Sequence, residues 1–420
     1  MPYTPDTSDL TSDQVALKQQ AHRFAAEVLR PASVELDALT PEQVIAPDSR
    51  LRDVFAAAYK AGYHVRGLPP QFGGTELGPL ESNLLNEEFG WGNAGLAIAL
   101  GVSSMPFVFA AMSGNPDLIR DVVVPFAEDT QGRYIGCWPG TEPNHGSDTI
   151  YATGAYAQPS IHMDCAARRD GDEWVINGQK SAWVSNGTIA THALLWVGVY
   201  PERGMSGNGF IVVPLDLPGV SRGKPTDKIG QRALNQGEIF FEDVRVPGSY
   251  MVIPPDMMPA LTTRLFGMTN AALGATFVGV ARAAFEEALT YCEQRVQGGV
   301  PIAQHQLVQR KLFDMFTKVE AARALSRKAQ LRLQTGLPTH HYSMASKVFC
   351  TQTAYEVASD AVQLHGGMGL VKGVLVEQLM RDARAALIED GVNDVLALVG
   401  ARELFQPGVL GRPETAAVAG

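Results

Sequence analysis

The chain has 420 residues, of which 45% are hydrophobic and 19% are charged. At about 100–200 residues per domain, this length predicts two or three domains with a large buried core. Acidic residues outnumber basic ones by 44 to 34, a net charge of −10. This balance argues against a nucleic-acid partner, which requires a basic surface. The four cysteines are widely spaced and form no CxxC pair, so we expect neither a metal site nor a disulfide framework.

The amino-terminal segment, MPYTPDTSDLTSDQ, has no basic region followed by an apolar stretch, and it therefore does not resemble a signal peptide. The most apolar part of the chain, residues 93–114, contains Gly, Ser, Pro and Asn. We interpret it as buried core rather than a membrane span. The expectation is a cytoplasmic protein without a membrane partner.

Three zones of different pattern follow one another along the chain. Residues 1–133 carry helical periodicity, interrupted by a turn-rich loop at Pro69–Gly74, and residues 134–247 are strand-like. Residues 248–420 are helical again, with stretches at 271–296, 306–335, 342–364 and 374–404 that predict a four-helix bundle. The predicted fold is α+β and multidomain: an N-terminal α-helical domain, a middle antiparallel β domain and a C-terminal helical bundle.

The sequence lacks the glycine-rich motifs of doubly wound nucleotide-binding folds. Neither GxGxxG nor GxxxxGK follows a predicted strand. A nucleotide cofactor must therefore be held in another way.

Two motifs stand at and after the junction of the first two zones. Residues 141–148, TEPNHGSD, form a polar turn whose amides and hydroxyls can face a ligand. Residues 178–187, GQKSAWVSNG, place Trp183 and Ser185 two apart on a strand, so both side chains point to the same face. Each motif alone is compatible with an ordinary surface turn or a core tryptophan.

The third zone carries further motifs. Arg295 ends a helical stretch, and Gln306 opens the next one after Gly298–Gly299. A helix-end arginine is usually solvated, but its guanidinium can also bind a phosphate. The sequence HGGMG at 365–369 lets the backbone approach a bulky anion, and RDAR at 381–384 precedes an acidic turn, IEDG, at 388–391.

Taken in order and spacing, these motifs resemble the acyl-CoA dehydrogenase family over nearly the whole chain. KIGQR at 228–232 and FFEDVRVP at 240–247 extend the resemblance. It implies a non-covalently bound FAD, a thioester substrate such as an acyl-CoA, an electron-transfer flavoprotein or similar acceptor, and a homo-oligomer, either a tetramer or a dimer.

The resemblance also assigns roles to individual residues. Trp138, Gly140 and Thr141 would meet the pyrimidine edge of the flavin, Trp183 would lie against its ring, and Ser185 would bond near N5. The backbone around Gln363, Gly366 and Gly367, with Arg295 and Gln306, would bind the pyrophosphate and adenosine half of an FAD in a neighbouring subunit. Val392 and Asp394 fall at further cofactor positions, and Ser147, Glu389 and Gly391 fall at substrate positions.

Thioester desaturation needs a base for the α proton and a flavin that accepts hydride from the β carbon. A carboxylate serves as the base when burial raises its pKa towards neutrality. Counting from Arg381, the family's usual Glu position is occupied by Asp390, and its amide would donate to the thioester oxygen. Glu389 is the nearest rival, whereas Thr269, at the position used by another branch, cannot act as a base.

Several positions depart from the family pattern. Val392 replaces a Thr, Asp394 a Gln, Gly298 a Phe, Asn270 a substrate-proximal Arg and Glu389 a pocket-lining aromatic. We hypothesise that Glu389 makes the acyl pocket more polar and disfavours long saturated chains. Two alternatives stay open at this point: a nitroalkane-oxidase-like flavoprotein, which also uses Asp as base, and a non-catalytic FAD-binding subunit.

Overall fold

The computed structural model describes residues 5–75, 77–150, 158–333, 340–406 and 409. By internal contacts the chain forms two compact units. We call one the helical unit; it comprises Met1–Arg30, Gly78–Ala94 and Thr263–Gly420. The other, the sheet unit, comprises Pro31–Leu77 and Gly95–Thr262. The domain boundaries at residues 133 and 247 stay a prediction.

The described residues up to 127 form helices joined by turns, as the helical periodicity predicts. Thr11 and Thr40 each form a capping box with the glutamine three residues later, which explains where the first and third helices begin. The helices are α1 Ser12–Phe24, α2 Arg30–Asp37, α3 Pro41–Val44, α4 Arg50–Lys60, α5 Pro79–Gly92, α6 Ala94–Ser103, α7 Met105–Ser113, α8 Pro116–Leu118 and α9 Val124–Ala127.

The apolar stretch predicted as core forms α6 and α7. Ala94–Ser113 is long and apolar enough to span a membrane by composition, with a mean hydropathy of 1.8, but half of the tested window is buried inside the protein. A turn at Ser104 divides it, and Phe107 stacks on Phe126 with ring centroids 3.8 Å apart. Such packing is that of a core helix pair.

The sheet unit contains an eight-stranded sheet. Its strands are β1 Gly136–Cys137, β2 Ala166–Asp170, β3 Glu173–Ser185, β4 His192–Gly198, β5 Asn208–Pro214, β6 Val220–Arg222, β7 Gln236–Pro247 and β8 Met251–Ile253. The order is β6-β7-β3-β2-β4-β5-β8, with β1 beside β4. Neighbours pair antiparallel except that β4 runs parallel to β1 and β2. Every residue of β4 is buried, so this strand lies at the centre of the core.

The C-terminal zone contains α10 Met258–Gln294, a hairpin of β9 Val296–Gln297 and β10 Val300–Pro301, then α11 Gln306–Arg332, α12 His340–His365, α13 Leu375–Ala386 and α14 Asn393–Glu403. The continuous helix predicted at 374–404 is wrong, because Asp390 and Gly391 have φ of +50° and +98°. A right-handed helix cannot continue through two such residues. In α13, Val376, Leu379 and Ala383 are buried at helical spacing.

A buried ionic cluster lies inside the helical unit. Glu87 and Glu88 of α5 are at most 1% exposed and pair with Arg282 of α10, while Arg323 of α11 and Lys18 of α1 complete the cluster. Although burial raises it, the guanidinium groups of Arg323 and Arg282 hold the pKa of Glu87 at about 2. Four helices from distant parts of the sequence are therefore tied together by compensated charges.

Candidate functional site

Trp183 is presented by an irregularity in the central strands of the sheet unit. The β3–β7 register passes from Lys180↔Ile239 to Val184↔Gly237, so β3 contains two extra residues at this point. Such a bulge redirects the side chains of the longer strand. Trp183 is 55% exposed, while Val184 beside it is buried. The indole ring of Trp183 is therefore exposed on the surface of the sheet.

Ser185 lies on the same strand and is held by a polar side chain from β7. The Gln236 amide donates to the Ser185 Oγ and to the Trp183 carbonyl, both at 3.2 Å. Lys228 in turn donates to the Gln236 Oε1 at 2.8 Å. Trp183 and Ser185 thus share one anchoring residue, which fixes the spacing between them.

The loop of residues 140–142 is attached to β3 by a fully buried lysine. The Lys180 Nζ donates to the Glu142 carboxylate at 2.7 Å and to the Gly140 carbonyl at 3.1 Å. The Ser181 amide donates to the Thr141 carbonyl at 3.0 Å. The structure therefore brings Gly140 and Thr141 beside the strand that carries Trp183 and Ser185. The GQKSAWVSNG motif contains Lys180, but the sequence does not indicate this role.

Glu142, His145 and Asp164 offer ligand atoms that lie within 4.8 Å of one another. The Glu142 carboxylate already accepts from Lys180 and from the amides of Asp164 and Cys165, and His145 Nδ1 lies 2.7 Å from Asp148. A cation here would have to displace a buried ammonium. The hydrogen bonds account for the grouping, so it carries no metal assignment.

The β9–β10 hairpin connects Arg295, just after α10, to α11, which begins with Gln306. Gly298 and Gly299 form its turn with φ of +66° and +84°, a conformation that favours glycine. The Ile302 amide donates to the Arg295 carbonyl at 2.8 Å, which closes the hairpin just before Gln306 opens α11. Both side chains are exposed.

The HGG turn lies beside the same end of α10. The Tyr291 ring stacks on His365 at 4.1 Å, and its hydroxyl donates to the His365 carbonyl. Gly366 has φ of +58°, and a Cβ added at Gly366 or Gly367 would meet no atom within 4 Å. We call Arg295, Gln306, Gly366 and Gly367 the helix-end cluster. The Arg295 amide bonds the carbonyl of Tyr291, which contacts His365, and the backbone of the two glycines is open enough to admit a bulky anion.

Asp390 lies in the turn that separates α13 from α14. The Asn393 amide donates to the Leu387 carbonyl at 3.0 Å and closes this turn, which we call the 387–392 turn. The Asp390 amide donates to no acceptor among the described residues. The residue as a whole is exposed, yet desolvation by the surrounding protein raises the pKa of the Asp390 carboxyl group, while the charge of Lys347 acts in the opposite direction. A carboxylate and a free amide are therefore presented together.

Lys347 of α12 supports this turn from inside the helical unit. It is fully buried, and its Nζ donates to the Gly391 carbonyl at 2.7 Å and to the Asn393 Oδ1 at 2.8 Å. Burial lowers the pKa of Lys347 to about 8, against the raising effect of Glu389 and Asp390. Sequence reasoning missed Lys347, because one lysine in a long helix is usually solvated.

The remaining predicted residues are spread over both units. Trp138 is partly buried, with its ring centroid 6.1 Å from that of Phe210, and Ser147 is exposed at the start of a short helix. Gln363 and Asp394 are exposed, and Val392 and Glu389 are half-buried. Lys347 and His365 are 18 positions apart in α12, which corresponds to about 27 Å along the helix, so the helix-end cluster lies far from the 387–392 turn.

Family models match nearly the whole chain. The N-terminal, middle and C-terminal domains of acyl-CoA dehydrogenase match residues 11–129, 137–244 and 259–405. The chain belongs to the acyl-CoA dehydrogenase family. The family resemblance, the fold class and the prediction of an oxidoreductase acting on CH–CH groups are thereby confirmed.

Individual proteins match along nearly their full length. A cyclohex-1-ene-1-carbonyl-CoA dehydrogenase of Geobacter metallireducens is 32% identical over 95% of this chain and 99% of its own. The butyryl-CoA dehydrogenase structure from Megasphaera elsdenii superimposes with a TM-score of 0.82 at 26% identity, covering 97% of this chain and 100% of that one. PigA, solved with FAD and proline, shares the fold at 24% identity, with a TM-score of 0.83 over 95% of this chain and 99% of its own.

Proposed function

We propose that this chain is an FAD-dependent acyl-CoA dehydrogenase that uses Asp390 as its base. The observation that carries the proposal is the 387–392 turn, where a carboxylate of raised pKa stands next to an amide without an acceptor among the described residues. The Asp390 carboxylate would take the proton α to the thioester carbonyl, and the Asp390 amide would donate to the carbonyl oxygen. Asp390 has a positive φ and carries both the carboxylate and the amide.

The donor set of the chain fits a flavin dinucleotide. Trp183 offers an exposed aromatic plate, Ser185 a hydroxyl, and Gly140 a backbone position where an added Cβ would come no closer than 3.5 Å to Trp196. Arg295 and the open backbone of Gly366 and Gly367 suit the pyrophosphate. FAD, when bound, supplies the hydride acceptor for the β carbon; the residues named here would bind and orient it.

The distance along α12 supports a shared arrangement between subunits. The helix-end cluster and the 387–392 turn lie about 27 Å apart along this helix. We propose that the two groups serve different FAD molecules in a homo-oligomer, so that the helix-end cluster binds the pyrophosphate half of a neighbouring subunit's cofactor. An electron-transfer flavoprotein or similar carrier is the proposed acceptor, and the cytoplasm is the proposed location.

The proposed substrates are short or cyclic acyl thioesters. Glu389 is half-buried next to the base and would place a carboxylate beside the acyl group. A long apolar chain would desolvate this charge, which disfavours its binding. The relative from Geobacter metallireducens is named for a cyclic acyl-CoA, and the Megasphaera elsdenii protein is a butyryl-CoA dehydrogenase. Both names agree with this substrate class.

Anaerobic flavin reduction tests the role of Asp390 as the base and the proposed substrate class. The purified protein is checked for bound FAD, then mixed with butyryl-CoA, cyclohex-1-ene-1-carbonyl-CoA, palmitoyl-CoA or nitroethane while the flavin absorbance is followed. We expect bleaching by the first two. Asp390→Asn should lower the rate by about 10³-fold or more, since the amide cannot accept a proton. Glu389→Gln, the matched control one residue away, should retain bleaching.

Each other outcome points to a different conclusion. Loss of bleaching in Glu389→Gln but not in Asp390→Asn would transfer the base role to Glu389. Bleaching by nitroethane alone would identify a nitroalkane-oxidase-like enzyme, and no bleaching by any of the four would support a non-catalytic FAD-binding subunit. Fastest reduction by palmitoyl-CoA would contradict the polar acyl pocket.

A further inference from the structure

The 387–392 turn depends on a residue that does not belong to it. Asp390 and Gly391 both have positive φ, and a non-glycine residue in this conformation needs support from its surroundings. The chain supplies that support through α12. The Lys347 Nζ bonds the Gly391 carbonyl at 2.7 Å, one residue after Asp390.

A second contact fixes the far end of the turn. The Asn393 Oδ1 accepts from Lys347 at 2.8 Å, while its Nδ2 donates to the Thr351 Oγ1 at 3.0 Å. The Thr351 hydroxyl donates to the Lys347 carbonyl at 2.8 Å. The amide of Asn393 is therefore oriented with its oxygen towards the ammonium. Lys347, Thr351 and Asn393 form one hydrogen-bonded support for the turn.

The hydrogen-bond partners of Lys347 among the described residues are both uncharged. A carbonyl and a side-chain amide oxygen satisfy the hydrogen bonds of the ammonium but do not neutralise it. The charges that act on Lys347 are Glu389 and Asp390, both in the turn. Towards α10 and α14 its neighbours on α12 contact uncharged groups: Ser346 faces Gly274, and Met344 faces Gly400. The opposite charges that act on the ammonium therefore both lie in the turn that carries the base.

We propose that Lys347 is a positioning residue for Asp390: its ammonium fixes the 387–392 turn through Gly391 and Asn393, and its positive charge stabilises the ionised carboxylate. This inference rests on the proposed function, in which the ionised Asp390 is the active form. Lys347 touches neither substrate nor cofactor in this role. It acts through the backbone of the turn and through its electrostatic field.

The test is the pH dependence of flavin reduction in the full-length, FAD-loaded enzyme, with butyryl-CoA as the probe. The rate falls at low pH as Asp390 is protonated. Removing the positive charge disfavours the carboxylate, so in Lys347→Gln and Lys347→Met this acid limb should move to higher pH. Lys347→Arg keeps the charge and should keep the wild-type limb, whatever its effect on the maximal rate.

Two further variants separate this role from general damage to the fold. Lys318→Met removes a lysine of α11 that pairs with Glu356 of α12 at 2.6 Å, away from the turn, and should leave the limb unchanged. Asn393→Asp leaves Lys347 in place but adds a carboxylate beside its ammonium. The limb should again move to higher pH, which provides the test if the Lys347 variants do not fold.

The outcomes distinguish this inference from the proposed function. Wild-type limbs in Lys347→Gln, Lys347→Met and Asn393→Asp, together with normal flavin reduction, would overturn the role of Lys347 and leave the function intact. An equal shift in Lys347→Arg and Lys347→Gln would overturn the role of the charge. If butyryl-CoA and cyclohex-1-ene-1-carbonyl-CoA both fail to reduce the wild-type flavin, the proposed function fails first.

Discussion

Two fully buried lysines each hold a candidate site loop, one in each unit, but they are paired differently. Lys180 in the sheet unit bonds a carboxylate, Glu142, and the carbonyl of Gly140. Lys347 in the helical unit bonds a carbonyl and an amide oxygen, Gly391 and Asn393. The first lysine is neutralised at contact distance. The second retains a charge that can act on its surroundings, and burial accordingly lowers its pKa to about 8.

The difference indicates two uses of a buried cation. A buried ion pair with further hydrogen bonds ties segments together, and removing one partner leaves an uncompensated charge. A buried cation with neutral partners is costly in stability because it has lost its hydration, but it exerts a stronger field on nearby titrating groups. We expect Lys180 to contribute mainly to the stability of the fold, and Lys347 mainly to the ionisation of Asp390. Three stability measurements test this contrast.

The largest effect is expected for Lys180→Met. Without the ammonium, the Glu142 carboxylate remains buried, although the amides of Asp164 and Cys165 still donate to it. Breaking a buried pair from one side costs about 3–5 kcal/mol, and these amides place the expected loss in the free energy of unfolding near 3 kcal/mol. Urea denaturation at neutral pH measures it. A loss below about 1 kcal/mol would remove the contrast between the lysines.

The second effect is the pH dependence of stability that Lys347 contributes. Its pKa is about 8 in the folded chain, against 10.5 for an ordinary solvated lysine, so between these values the unfolded chain binds more protons. Stability contributed by this group therefore rises from pH 8 to 10.5, by about 3 kcal/mol in total. Urea denaturation of the wild type and of Lys347→Met at pH 8 and at pH 10.5 gives the change in the free energy of unfolding for each protein. The difference between the two changes is the contribution of Lys347, because the other titrating groups contribute equally to both. An identical pH response in both proteins would contradict the lowered pKa.

The smallest effect is expected for Lys347→Met at neutral pH. The variant leaves the Gly391 carbonyl without its lysine donor, which costs about 1–3 kcal/mol, whereas the Asn393 Oδ1 keeps the Thr351 hydroxyl at 3.4 Å. It also removes the penalty of burying a charge, about 3 kcal/mol from the lowered pKa. The two terms oppose each other, so the free energy of unfolding should change by about 1 kcal/mol or less. A loss as large as that in Lys180→Met would show that Lys347 is mainly structural.

Much of the fold could be predicted because its signals are local. Helical periodicity, the apolar run of β4 and the helix starts at Ser12 and Gln306 follow from neighbouring residues. Periodicity extends the predicted helix through 387–392 because Leu387 and Ile388 continue the apolar pattern of α13, whereas the IEDG motif at 388–391 predicts a turn. The turn that contains Asp390 is bonded through the Gly391 carbonyl to Lys347, which lies more than 40 positions earlier in the chain.

The candidate site divides in the same way. Motif order identified the residues assigned to it, from the TEPNHGSD turn to Asp390, because each motif is contiguous. Lys180, Lys347 and Asn393 were not assigned a role, since a lysine or an asparagine has the same appearance in sequence whether it is solvated or buried. Only the packing of distant segments decides which of them loses its water.

The sequence by itself determined the family, the succession of helical, strand and helical zones, and a carboxylate at position 390. A length of 420 residues and a net charge of −10 excluded other classes but located no site. The tertiary structure decided which charges are buried and what they contact: Glu142 beside Lys180, and a turn of positive φ beside Lys347. The physical reason is that desolvation and electrostatic coupling depend on distance in space, which separation along the chain does not set.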